Sequence, residues 1–377
     1  MEEITCDLAV VGAGPAGLAA AITAAKHGGR VLLLERGRLP RHRVCGEFLS
    51  PESLRLLESL LGGNKDLMLR SPRISRARLF MDRGVIETSL SPSAGSIPRY
   101  ELDHALWQAA QAAGAECREE CNVRSIERTP QGRFHLICES AAKVQPAAPA
   151  LFSVLASAVV DAAGRWSNLR PRGRVPEDTW VGLKSHFECG GGNGVLDSVD
   201  LYFFDSGYCG ISPIGGGRIN ACAMVRASAL AGNSLEKVFA CHPELWRSSR
   251  SWKPAMDVIA TAPLFFREPC PMREEVLVAG DAAGFVDPFI GDGISMALNS
   301  GVRAAEALSN QQWRAADGAR DYERTYRRDF LPVFRNAARV RRLLRAPRPL
   351  RQMMSVVAQL PGVTRYFLQS TRLRGQV

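Results

Sequence analysis

A glycine-rich turn between an apolar strand and an alanine-rich helix constrains this chain more than any other feature. Residues 4–11 (Ile-Thr-Cys-Asp-Leu-Ala-Val-Val) read as a buried strand. Gly12-Ala13-Gly14-Pro15-Ala16-Gly17 follows, then a helix to about His27 and a second strand at Val31–Leu34. Gly12 permits the tight turn, Gly14 lets backbone approach a pyrophosphate, and Gly17 lets helix and strand pack closely. Pro15 and Ala16 lie at the helix start, whose free N–H groups and positive dipole end favour phosphate. Glu35 ends the second strand, at the distance expected of a carboxylate that hydrogen-bonds a ribose hydroxyl. Strand, helix and strand in this order predict parallel pairing and an α/β fold.

Two later segments repeat the theme of a buried strand ending in small residues. Val159-Val160-Asp161-Ala162-Ala163-Gly164-Arg165-Trp166-Ser167 suits a second close pass of backbone beside a cofactor, and alone it is an ordinary strand-to-loop junction. Val276-Leu277-Val278-Ala279-Gly280-Asp281-Ala282-Ala283-Gly284 is followed by Asp287-Pro288-Phe289-Ile290-Gly291-Asp292-Gly293-Ile294. A carboxylate such as Asp281 after a buried strand can accept hydrogen bonds from a sugar-alcohol hydroxyl, which points to the ribityl chain of FAD rather than to NAD. The Gly291–Gly293 turn opens a helix to about Leu308, whose first amides could stabilise negative charge on a reduced ring.

Between these segments the pattern is mostly strand. Residues 76–90 alternate around Asp82-Arg83-Gly84 as a hairpin would, and Leu102–Ala113 is helical with Asp103 near its start. Short strands are expected at Asn122–Glu127, Phe134–Cys138 and Ala158–Val160, with a surface loop at Ala141–Ala150. Residues 180–262 read as an antiparallel sheet over a substrate cavity, with Ser234–Ala240 the one plausible helix.

The 377 residues are 46% hydrophobic, enough for one large core or two coupled ones. No apolar run reaches the roughly 18 residues of a membrane span. Ten irregularly spaced cysteines, with an acidic start that lacks the form of a secretory signal, favour reduced thiols and a cytoplasmic setting. The net charge of +10 is concentrated from Arg303 onward, where sixteen arginines face five acids. The aromatic-plus-basic motifs of nucleic-acid recognition are missing, so no nucleic acid is expected. In the stretch 333–345, Val333, Ala337, Val340 and Leu344 form one stripe, and Arg335, Arg339 and Arg342 another. Such a helix either packs on its own domain with a solvated basic face or makes peripheral contact with an anionic membrane. No His and Cys residues share metal-ligand spacing, and no metal site is expected. No hydrolase signature is present.

On these residues the chain resembles the flavoprotein hydroxylase superfamily, and within it the geranylgeranyl reductase branch. The branch-level signal is Leu39-Pro40-Arg41-His42-Arg43-Val44-Cys45-Gly46-Glu47-Phe48-Leu49-Ser50-Pro51, similar to the family's Cys-Gly loop over the flavin ring. The resemblance covers about the first 310 residues. It implies that Ala16, Glu35, Cys45, Gly46, Arg99, Val123, Asp281, Gly293 and Ile294 line FAD, with Arg99 acting from its helix start and the Val123 backbone meeting adenine. Arg43 and Gly291 join this set as neighbours. The implied architecture is two-domain: a ββα-type Rossmann-like FAD-binding domain (1–75, 101–175, 271–310), an inserted antiparallel-sheet substrate domain (76–100, 176–270) and a basic helical C-terminal segment (311–377). The chain departs from the family at Ala163-Gly164, where an Asp-Gly pair is usual. It departs again at Tyr208-Cys209-Gly210-Ile211-Ser212-Pro213, where larger side chains are usual, and hydroxylases usually carry His where Gly284 stands. The Trp-x-Trp-x-Ile-Pro run of flavin halogenases is absent.

The catalytic candidates are Cys45, Glu47 and Tyr208. A thiol beside the flavin could donate a proton, relay one or tune the ring, or merely pack on it. Glu47 is either an acid or base or an exposed loop carboxylate, and Tyr208 either faces substrate or packs. Arg41 and Arg43 either draw in an anion or are solvated charges. The leading expectation is reduction of a C=C bond in a hydrophobic isoprenoid- or polyketide-like substrate, with FAD as cofactor and NAD(P)H as a candidate donor. The alternatives are a monooxygenase acting on an aromatic or lipid substrate, and an electron-transfer flavoprotein.

Overall fold

The structure, a computed structural model, describes residues 2–81, 84–140, 150–169, 175–189, 197–230, 232, 234–344 and 373. The chain opens with β1 (Glu3–Val11), α1 (Pro15–Lys26), β2 (Val31–Leu34), β3 (Phe48–Leu49), α2 (Pro51–Leu60) and α3 (Asp66–Leu69). The hairpin of β4 (Arg73–Met81) and β5 (Gly84–Ser96) leads to α4 (Arg99–Ala112). Strands β6 (Glu116–Arg118), β7 (Cys121–Arg128), β8 (Phe134–Ser140) and β9 (Ala150–Asp161) follow. Next come β10 (Trp180–Cys189), β11 (Ser198–Phe204), β12 (Gly207–Gly215), β13 (Arg218–Arg226), α5 (Leu235–Phe239), α6 (Pro243–Ser249), β14 (Trp252–Pro254) and β15 (Ile259–Leu264). Then follow β16 (Met272–Arg273), β17 (Val276–Val278), α7 (Gly293–Ser309), α8 (Ala315–Asp329) and α9 (Leu331–Leu344).

Two sheets organise these elements. In the first, β1 lies between β2 and β9, parallel to both, and β17 continues in parallel beyond β9. The β7–β8 hairpin joins antiparallel to β9. Parallel strands covered on both faces read as unbroken apolar runs, which is why Leu8–Val11 and Val31–Leu34 are buried throughout. The second sheet runs β14-β10-β13-β12-β11-β4-β5-β3, with β15 on β10. Its period-two alternation sends Leu183, Phe187, Cys209, Ile211, Ile219, Ala221 and Val225 into one core beneath α5 and α6. The opposite face, with Lys184, His186, Ser212, Asn220 and Cys222, is turned toward the loop between β2 and β3.

The α/β architecture anticipated from the sequence is present, with differences of detail. Region 180–262 holds a second helix, α6, whose Pro243 occupies the first turn and whose Leu245 is buried. Strand β9 is twelve residues long, running back from the expected Ala158–Val160 to Ala150. The expected loop 141–149 lies outside the described residues, and Ala150 opens β9. Asp103 is not a cap: Pro98 precedes α4, and Asp103 forms a two-point ion pair with Arg99 one turn back, at 2.8 and 2.7 Å.

Helices α8 and α9 pack on the first sheet's core. The buried Tyr322 hydroxyl donates to the Val278 carbonyl at 2.9 Å, and Val333 and Ala337 are buried while Arg335, Arg339 and Arg342 are exposed. Residues 345–372 and 374–377, part of the expected basic segment, lie outside the described residues. No described helix is long and apolar enough to cross a membrane.

Close approach of α1 and α7 fixes where their N-termini point. A Cβ at Gly301 would lie 2.0 Å from the Ala16 carbonyl oxygen, and one at Gly280 would lie 2.8 Å from the Ala16 methyl. Gly301→Ala is therefore expected to lower the unfolding free energy by about 1–3 kcal/mol in urea denaturation. Gly293→Ala is the control: nothing lies within 4 Å of an added Cβ there, and stability should stay within about 0.5 kcal/mol of the parent.

Candidate active site

The N-termini of α1 and α7 open onto one cavity of about 450 Å³ between the two sheets. Neither helix has a side-chain cap hydrogen bond or an acid in its first turn, and Asp292 stands at the N-cap of α7. Gly12 holds φ at +99°, and an added Cβ would lie 2.6 Å from the Ala162 carbonyl oxygen. Gly17 is buried beneath the turn rather than on the cavity wall, since a Cβ there would lie 1.8 Å from the Gly12 carbonyl oxygen. Gly14, Gly46, Gly164 and Gly293 line the cavity with nothing within 4 Å of an added Cβ, leaving backbone bare along its length. Pro15, Ala16, Gly291 and Ile294 line it too.

At one end stands Glu35, buried, accepting from the Ala13 and Gly37 amides at 2.8 Å each and from Arg41 at 2.5 Å. Burial alone would raise its pKa, but the Arg41 charge and the two amides hold it below the usual carboxylate range. Arg41 is thus a paired side chain rather than a solvated one. Arg43 on the same wall is pushed down to about 10, first by burial and then by Arg41. Val123 lines this end, and its carbonyl accepts from Asn168 Nδ2 at 2.7 Å. Farther along, Asp281 pairs with Arg165 at 2.9 Å, and that guanidinium lies 4.0 Å from the Phe285 ring centre.

The other end is where the β2–β3 loop meets the second sheet. Cys45, Gly46, Glu47 and Arg99 line the cavity there, opposite Tyr208, Cys222 and Met224. Glu47 is wholly buried, which sets aside an exposed loop carboxylate. Its φ is +59°, and its carboxylate accepts from the buried Lys184 ammonium, from His186 Nε2 at 2.8 Å and from the Arg99 amide at 2.8 Å. Burial pushes its pKa up, but the His186 hydrogen bond and the Lys184 charge outweigh that, and the net direction is down. Glu47 is an anionic acceptor at neutral pH. Tyr208 is the reverse: burial first, then the charge of Asp287, raises its pKa well above the usual phenol value.

Sequence patterning alone does not single out Lys184, His186, Asn220, Ser212 or Cys222. Their signal is polar residues at alternate positions on strands whose other positions are apolar, as in Gly182-Leu183-Lys184-Ser185-His186-Phe187. Gly284 also finds its reason here. A Cβ there would lie 3.0 Å from Phe334 of α9, which leaves little room for the larger residue usual in hydroxylases.

A parallel sheet, a glycine turn at a helix start and a second helix aimed at the same cavity define a dinucleotide-binding enzyme. Residues 5–175 match the family model described as FAD binding domain. The chain is an FAD-dependent oxidoreductase, similar to reductases of the geranylgeranyl type. It is 26% identical over 327 residues to menaquinone reductase of Mycolicibacterium smegmatis, covering 81% of this chain and 76% of that protein. It is 28% identical over 320 residues to digeranylgeranylglycerophospholipid reductase 2 of Methanosphaera stadtmanae, covering 80% and 77%. The crystal structure of a geranylgeranyl bacteriochlorophyll reductase-like protein from Thermoplasma acidophilum superposes with a TM-score of 0.78. The identity is 20%, over 98% of this chain and 96% of that one. A flavin-dependent brominase gives 0.79 at 17% identity over 97% and 93%, so the fold is common to both kinds of enzyme.

Breaking the Glu47–Lys184 pair should weigh heavily on stability, because neither partner reaches water. Lys184→Met leaves a buried carboxylate short of its cation and is expected to cost about 3–5 kcal/mol. Arg76→Met at the exposed Arg76–Asp197 pair, where solvent screens both charges, should leave the urea midpoint close to the parent's. Because the folded-state pKa of Glu47 is depressed, its contribution is present above the unfolded value near ~4.3 and is lost as pH falls through the folded value. Urea titrations should accordingly show the gap between parent and Glu47→Gln narrowing as the pH is lowered below ~4.

Proposed function

We propose that the enzyme reduces a C=C bond in a hydrophobic isoprenoid- or polyketide-like substrate held between the Cys45–Glu47 loop and the second sheet. One observation carries this reading: the cavity runs unbroken from the glycine turn to a wall of Gly182, Tyr208, Cys222, Met224, Ile259 and Leu264, none of them charged at neutral pH. An apolar chamber beside a cofactor channel suits a lipophilic substrate and not a docking surface for an electron-transfer protein. Relatives whose names refer to the reduction of menaquinone and of a digeranylgeranyl lipid support the same substrate class.

The residues fit FAD. Bare backbone at Gly14 and the α1 amides would take the pyrophosphate, Glu35 a ribose hydroxyl, Asp281 the ribityl chain, and the Gly291–Ile294 turn the ring edge. Arg43, Arg99, Gly46 and the Val123 backbone complete the set. When bound, FAD supplies the hydride. The protein's own part is to exclude water, orient substrate and supply a proton, for which Cys45 is the candidate; burial holds the proton on Tyr208, and Glu47, held anionic, is not a donor at neutral pH. In this reading 1–75, 101–175 and 271–310 hold the cofactor, 76–100 and 176–270 hold the substrate, and 311–377 is a C-terminal segment. NAD(P)H is the proposed electron donor, and the exposed arginine stripe of α9 the proposed point of contact with an anionic membrane.

Glu35→Gln keeps the side-chain shape and removes one ionised acceptor. FAD affinity, followed by quenching of flavin fluorescence, is expected to fall about tenfold, the worth of one charged hydrogen bond. The reaction class is tested on the dithionite-reduced holoprotein mixed anaerobically with geranylgeraniol or menaquinone, with product masses read by mass spectrometry. A gain of two hydrogens per turnover is expected. A product that forms only in air and gains one oxygen would instead make the enzyme a monooxygenase.

A further inference from the structure

Three strands of the second sheet lie side by side in the order β10-β13-β12, and their register aligns one row of polar residues across them. His186 is opposite Asn220, and Asn220 is opposite Ser212. Each member of the row reaches a different one of three consecutive loop residues. Asn220 Nδ2 donates to the Cys45 carbonyl at 3.0 Å, Ser212 Oγ to the Gly46 carbonyl at 3.0 Å, and His186 Nε2 meets the Glu47 carboxylate at 2.8 Å. Lys184, two residues from His186 on the same face, grips the other Glu47 oxygen. From the opposite side the Ile97 amide and Ser96 hydroxyl both donate to the Glu47 carbonyl at 3.0 Å. All members of the row are buried. Polar side chains rarely occupy such positions without partners, and here every partner belongs to one short loop.

We propose that His186, Asn220 and Ser212, with Lys184, are positioning residues that set the Cys45–Gly46 turn against the cofactor cavity and so govern the reactivity of the Cys45 thiol. The geometry explains why the loop keeps a left-handed residue at Glu47: that conformation aims the Cys45 and Gly46 carbonyls at the sheet and the carboxylate at Lys184 and His186 of β10. It also explains the small side chain at Ser212. A large aromatic residue there would lie where the hydroxyl now meets Gly46, so this chain trades a wide wall for a hydrogen bond to the loop. The row acts on the reaction through Cys45 and does not itself touch substrate.

The consequence for catalysis rests on the cofactor reading above; the consequence for Cys45 does not. The test therefore begins with flavin-free protein. The rate of Cys45 alkylation by iodoacetamide is measured by peptide mass spectrometry for the parent, Asn220→Ala, Ser212→Ala and His186→Gln. Ser185→Ala serves as control, since it removes a buried hydroxyl bond to the Met256 carbonyl at 2.6 Å on the opposite face of β10. The row variants should change the Cys45 rate at least about fivefold, while Ser185→Ala leaves it unchanged even where it lowers Tm by as much. In the FAD-loaded protein the same variants should shift the flavin absorbance band and lower kcat with KM little altered. If the row variants and Ser185→Ala leave Cys45 equally reactive, the positioning role is overturned whatever the flavin does. If Cys45 responds but the flavin spectrum and kcat do not, the row positions the loop and the link from the loop to catalysis is what fails.

Discussion

The buried carboxylate of Glu47 is the point on which the arrangement of the two sheets depends. The loop that leaves β2 of the first sheet has to cross to β3 of the second, and an unsupported loop at that crossing would leave its polar groups buried without partners. Glu47 resolves this by meeting an ammonium and an imidazole from β10, while its backbone carbonyl is met by Ser96 and Ile97 from the end of β5. Ion pairs of this kind contribute little net stability, because desolvating both charges offsets their attraction. What they do supply is a severe penalty for any other placement. A loop displaced by one residue would strand an ammonium with no counter-charge, so the pair specifies the geometry more than it stabilises it.

How much of this is legible in the sequence follows from how local each determinant is. The glycine turn, Glu35 and the Gly280–Gly284 and Asp287–Ile294 segments depend on residues within a few positions of one another, and the order of apolar run, glycine turn and helical period marks them directly. The clamp on Cys45–Glu47 depends on residues 137 to 175 positions away, and those residues look unremarkable in their own strands. Lys184 and His186 sit in a strand pattern where the exposed positions of an antiparallel sheet would normally be polar. Only pairing of that face with a loop from the other sheet turns ordinary surface positions into a buried site. Helix α6 is hidden for a different reason: its seven residues carry a good start signal in Pro243 but too short an apolar period to register.

The C-terminal helices belong to the same argument about cores. Their excess of arginine suggests a separate basic module, yet Tyr322, Tyr326, Phe330 and Val333 are buried against the first sheet's core. Arg341 pairs with the buried Asp287 at 2.8 Å and lies 3.7 Å from the Phe266 ring centre. Asp287 opens the turn that leads into α7, so α9 braces the segment from which the second N-terminus is aimed. The basic character of the segment and its packing role are therefore compatible: one face closes the core, and the arginines on the other remain in solvent.

Opposite pKa shifts at Glu47 and Tyr208 then say what kind of chemistry the protein is built to assist. Active sites that perform acid–base catalysis usually bring a group's pKa toward the working pH. Here the carboxylate is pushed down and the phenol up, so each is moved away from neutrality and neither exchanges its proton readily. Fixed charge on the loop and a fixed proton on the wall suit a reaction whose electrons come from a cofactor, in which the protein's task is to hold a reactive ring and an apolar substrate in register. Beside that ring's place stands Cys45, half-buried at the cavity's edge and anchored to the second sheet through its own carbonyl.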